Sequence, residues 1–143
     1  MGRGAGRSGV MRGVVCAALT MLSLAWPASA RDAAIAVPSG EEIHWIETLH
    51  DTQGPEGLTL RFRFLAPAIG GANPVSAEVA QQDMAALCND FALPRVPSPG
   101  PKPAQIIISL SERSVPFGEA DEGVVQYFEA YSIADGSCVW ELF

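Results

Sequence analysis

The sequence predicts an α+β domain: an antiparallel sheet of about five strands, in the chain order β-β-α-β-β-β, with one helix packed on one face and one disulfide. Three patterns predict it. Leu58, Leu60, Phe62 and Phe64 alternate with Thr59, Arg61 and Arg63, which is the period of a strand with one buried face. Val79, Ala80, Met84, Leu87, Cys88 and Phe91 recur at helical spacing. Residues 105–110, and the segments on either side of Ala134-Asp135-Gly136, read as further strands. A single helix lying across such a sheet buries both apolar faces economically.

In chain order, residues 41–50 are the ambiguous element. As a helix they would begin at a capping box made by Ser39 and Glu42. Their Ile, Trp and Thr content, and the clear strand just after them, favour a strand. Strict alternation would place Ile43, Trp45, Glu47 and Leu49 on one side, and His44, Ile46, Thr48 and His50 on the other. Residues 51–57 are rich in Gly, Pro and Asp and read as the turn of a β-hairpin. After the loop at 67–74, Ser76 is the expected helix N-cap, Glu78 lies in the first turn, and Pro94 closes the helix. Five prolines between Pro94 and Pro103 require an extended crossover loop. The β-branched run at 106–108 fits a central strand buried on both faces. Residues 111–123 read as irregular, and a hairpin closes the chain.

The start of the chain speaks to compartment. Arg3, Arg7 and Arg12 precede a 13-residue apolar run, and Ala28 and Ala30 then supply the small residues of a cleavage site. That pattern is a secretory signal peptide over residues 1–30. The run is too short for a spanning helix, which needs about 20 apolar residues. Residues 31–40 are expected to form a mobile lead, and residues 41–143 a single domain. Cleavage would remove three arginines and no acid from a chain of net charge −7, leaving six basic against 16 acidic residues. A surface that acidic disfavours nucleic acid and anionic membranes, and suits a basic protein partner. The expected location is the periplasm, or the medium, with no stable membrane anchor after cleavage.

Cys16 leaves with the signal, so Cys88 and Cys138 remain as the expected disulfide in an oxidising compartment. Joining the helix to the last strand, such a bond would close a 50-residue loop and stabilise by roughly 4 kcal/mol.

Several stretches also carry a resemblance. They include Val37-Pro38-Ser39-Gly40, Leu60-Arg61-Phe62-Arg63-Phe64, Asp83-Met84 with Leu87-Cys88, Ile108-Ser109-Leu110-Ser111 with Arg113, Phe117-Gly118, and Asp135-Gly136 with Cys138, Trp140 and Glu141. Through them the chain resembles an uncharacterised family of small exported alphaproteobacterial proteins, a domain of unknown function. The resemblance implies export and one domain, and it brings no catalytic residue.

The remaining residues give no catalytic, cofactor or metal set. His44 and His50, six strand positions apart, would stand roughly 20 Å from each other, too far to share one metal. Glu119, Asp121 and Glu122 lack the spacing of a calcium loop. Arg61 and Arg63 are the candidate anion or partner contact, side by side on the expected exposed face of their strand. Cross-strand pairing with Glu47 is the plainer role for them. These features favour a non-enzymatic periplasmic interaction or accessory module. A small hydrolase or ligand-binding enzyme of unfamiliar type, or an inhibitor of secreted enzymes, is the alternative.

Overall fold

The structure, a computed structural model, describes residues 1–4, 6, 33–54 and 57–142. The expected signal peptide lies almost wholly outside the described residues, as does the tip of the first hairpin at 55–56. Five strands, β1 (His44–Gly54), β2 (Gly57–Leu65), β3 (Gln105–Ser111), β4 (Gln126–Ala134) and β5 (Ser137–Glu141), form one sheet in the order β1-β2-β3-β4-β5. A helix, α1 (Ala77–Ala86), runs on through a wider turn at Leu87–Ala92 and a tight turn at Leu93–Arg95. The order β-β-α-β-β-β is therefore present, and residues 44–50 are strand.

The sheet is mixed, not purely antiparallel. β2 and β3 pair in parallel, Phe62 opposite Ile108, while the other three pairs are antiparallel. The cause is the connection. Between β2 and β3 the chain crosses the sheet face as α1 and returns along the proline-rich segment, so it re-enters at the end where β2 began. Ala104 N–H donates to Leu58 O at 2.8 Å there, at the start of the parallel pairing.

One face of the sheet carries the core. Leu60, Phe62 and Phe64 of β2 and Ile106, Ile108 and Leu110 of β3 are almost fully buried, together with Ala80, Met84, Leu87 and Cys88 from the helical layer. Ser76 caps α1, its hydroxyl accepting from Val79 N–H at 3.3 Å. Phe91 is the aromatic hub, with ring centroids 5.4 Å from Phe64, 6.1 Å from Trp45 and 6.2 Å from Phe62. Arg95 shields its outer face, with Cζ 3.7 Å from the Phe91 ring centre. The expected disulfide joins Cys88 to Cys138 and ties the helical layer to β5. Asn89 adds a second strap, its side-chain oxygen accepting from Cys138 N–H at 3.0 Å.

Three local readings differ from the alternating pattern. A bulge between Trp45 and Glu47 shifts the register of β1, so that Trp45 pairs with Phe64 but Thr48 pairs with Phe62. Thr48 thereby joins the Trp45 face, where its hydroxyl accepts from Trp45 Nε1–H at 3.1 Å. Residues 51–54 and 57 extend the hairpin strands in place of a broad turn. From Ile35 onward the expected lead belongs to the fold. Ile35 bridges to Ile43, and Ser39 donates from its backbone N–H and its hydroxyl to the two carboxylate oxygens of Asp83, at 3.0 and 2.6 Å. Asp83, placed by periodicity among the polar helix positions, is 2 % exposed because that loop covers it.

Gly70 marks a tight approach. A Cβ built there would lie 1.5 Å from Glu112 Oε2 and 2.9 Å from Glu112 Cβ. Glu112 in turn accepts from Val125 N–H at 3.2 Å. Gly70→Ala is expected to cost about 1–3 kcal/mol through overpacking, read as a lower denaturation midpoint at unchanged slope.

Candidate functional site

Among the described residues no helix packs on the second face of the sheet, and the arginine pair lies on it. The alternation that sends Leu60, Phe62 and Phe64 to the core sends Arg61 and Arg63 to this face. The β1 bulge brings Glu47 directly opposite Arg63. Arg63 Nη1 donates to Glu47 Oε1, and Arg63 Nη2 donates to the Val115 carbonyl. Arg63 is 7 % exposed, so this face is not open at the pair as its alternation suggested. The connection between β3 and β4 folds back over it, placing Val115 and Phe117 on the arginines. Arg63 is committed on both sides and pins that loop to the sheet.

Arg61 differs from its neighbour. It stands between Leu49 of β1 and Ile107 of β3, two apolar partners in register. Its Cζ lies 5.9 Å from the Phe117 ring centre, and that of Arg63 lies 5.8 Å away, so one aromatic ring faces both cations. Burial first, and the neighbouring charge of Arg63 second, lower the Arg61 pKa from its ordinary value. The expected pairing with Glu47 is thus made by Arg63, and the structure separates two residues that look equivalent in sequence.

Beside Arg63 opens a shallow groove of about 690 Å³, lined among others by Glu47, His50, Ser114 and Pro116. Its carboxylate and its guanidinium are bonded to each other, and His50 is the remaining ionisable side chain among the lining residues. His44 is turned to Glu42 instead, its Nε2 2.9 Å from Glu42 Oε1. A second groove, about 610 Å³, lies between Val96, Pro97 and Lys102 of the crossover and Ile133 and Asp135 at the β4–β5 turn. That turn has positive φ at both Asp135 and Gly136, 50° and 74°, as a two-residue hairpin demands. Among the described residues, no three His, Cys, Asp or Glu side chains gather as a metal site. Nor is any described helix long and apolar enough to cross a membrane.

The third feature is an apolar corner at the β5 edge. Phe128, Val139, Trp140 and Leu142 are 61 %, 46 %, 45 % and 81 % exposed. Phe128 and Val139 lie on the helix-free face, and Trp140 on the other, so large apolar groups flank the edge strand on both sides. Glu129 Oε2 accepts from Trp140 Nε1–H at 2.6 Å and holds that indole in place. Residues that sequence reasoning passed over here are Phe117 and Gln105. Phe117 sits in an irregular Pro-Phe-Gly loop, where no periodicity assigns it a face.

A family model now decides the chain's relationship. Residues 18–143 match the model of a family of unknown function, DUF6497. The chain belongs to that family. The match covers every strand and the helix, so the arginine pair, the disulfide and the apolar corner all lie within the DUF6497 region. No curated protein and no solved structure matches the chain.

Proposed function

We propose that this DUF6497 protein is an exported, non-enzymatic interaction module of the periplasm that docks a basic protein partner on the β5 corner. The observation that carries the reading is the apolar corner itself. Four large exposed hydrophobic side chains lie at the β5 edge and present apolar surface on both of its faces: Val139 and Trp140 on β5, Leu142 just past its end, and Phe128 on the neighbouring β4. Acids surround it, with Glu129 on β4, Glu141 on β5 and Asp135 at the turn. With residues 1–30 removed, six basic against 16 acidic residues repel a second copy of the chain and attract a partner with a basic rim. The edge is partly guarded, since Asn89 takes the Cys138 N–H. Beyond that residue β5 can accept an extended segment along its backbone. The disulfide and the acidic surface fit delivery to an oxidising compartment.

The test is capture from periplasmic extract by the wild type and by surface variants, followed by cross-linking. Val139→Glu and Trp140→Ala are expected to reduce recovery of the same partner at least about tenfold, as loss of a central anchor does. Added salt should weaken capture. Cross-links should map to residues 137–142, and the circular dichroism of the variants should match the wild type. Equal recovery by folded variants, or cross-links confined to the helical layer, would overturn the reading.

A further inference from the structure

Among the described residues, two buried side-chain atoms on the helix-free face lack a hydrogen-bond partner: Arg61 Nε and Gln105 Oε1. Gln105 is opposite Thr59 and Ile107 is opposite Arg61, so Gln105 and Arg61 are diagonal neighbours on one sheet face. Long side chains at that spacing reach each other's surroundings. Gln105 is 6 % exposed. Arg61 is less covered, and among the described residues no carboxylate contacts it. Buried polar atoms without partners are rare in folded proteins, and each one calls for an explanation. A group bound on this face would stand between a cation and a carboxamide.

We propose that Arg61 and Gln105 form a binding site for a carboxylate, with the Phe117 ring as its apolar wall. A carboxylate fits better than a phosphate. Its two coplanar oxygens match the fork of one guanidinium, and among the described residues Arg61 has no carboxylate partner, whereas Arg63 is neutralised by Glu47. The register neighbours Leu49 and Ile107 offer contact to a carbon skeleton and no further charge. The carboxamide serves in either orientation. Its oxygen accepts from a hydroxyl or ammonium beside the carboxylate, and after a half-turn its NH₂ donates to the second carboxylate oxygen. The site is separate from the β5 corner, and either can fail without the other.

The test is an NMR titration of the purified protein with acetate, lactate and trialanine, the tripeptide with a free or an amidated C-terminus. Sodium chloride at equal ionic strength is the control. Saturable shifts are expected at Arg61 Nε–H and at backbone amides of residues 59–63 and 105–107 with the free carboxylates, and none with amidated trialanine. Tighter binding of trialanine than of acetate assigns the carboxylate to a peptide terminus, and the reverse assigns it to a free small acid. Arg61→Gln should weaken binding at least about tenfold, the scale of a charge-assisted bidentate contact. Arg61→Lys, a point charge without the fork, should fail to restore it. Gln105→Leu provides a second variant of similar size, expected to weaken binding by about threefold or more. Shifts that never saturate and match chloride, or saturable binding unchanged in Arg61→Gln and Gln105→Leu, would overturn the site.

Discussion

Removing the Cys88–Cys138 bond, by reduction or by Cys88→Ala with Cys138→Ala, is expected to lower the unfolding free energy by about 4 kcal/mol. The bond closes a separation of 50 residues, and loop-closure entropy grows with that length. Structure adds a second reason. β5 spans five residues, pairs among the described residues only with β4, and is otherwise held to the helical layer by Asn89. Without the covalent tie, that edge should fray first. Guanidinium denaturation with and without reductant measures the effect, and hydrogen exchange locates it. A loss comparable to the total stability of a small domain is expected, with early exchange in residues 137–141. A loss under about 1 kcal/mol would mean that the staple is incidental.

Phe64→Ala is the second large effect, at about 3–5 kcal/mol. Phe64 is fully buried, pairs in register with Trp45 on one side and Leu110 on the other, and meets Phe91 edge-on at 5.4 Å. Truncation would leave a cavity where β1, β2, β3 and the end of the helical layer meet. Phe64→Leu keeps most of the volume and should cost under half as much, about 1.5 kcal/mol. Urea denaturation, followed by tryptophan fluorescence, separates the two. Equal costs would show that the site collapses around the loss and that the aromatic hub is not a packing centre.

Much of the domain was legible in the chain because local patterns agreed with the global packing. The β2 alternation, the Ser76 cap and the Asp135-Gly136 turn each depend on neighbours a few residues away. What was not legible depends on distant contacts. The parallel pairing of β2 and β3 follows from where the crossover re-enters, which no local period encodes. The β1 bulge decides which side Thr48 and Glu47 occupy, and a strict two-residue period hides it. Asp83 falls between the apolar positions of the helix, and its burial is hidden because the loop that covers it lies 44 residues earlier. Arg61 and Arg63 read as an equivalent pair for the same reason. Only the bulge, which presents Glu47, and the returning loop, which presents Val115 and Phe117, make Arg63 a structural tie and leave Arg61 without a carboxylate partner among the described residues.

An intact-mass and peptide map of the protein recovered from its own cells tests the central claim, delivery of a sulfur-closed sheet-and-helix domain outside the cytoplasm. The predicted species begins at Arg31, weighs two hydrogens less than the dithiol, and yields one peptide pair joining Cys88 to Cys138. A chain recovered from the cytosol with residues 1–30 attached and both thiols alkylated would contradict it.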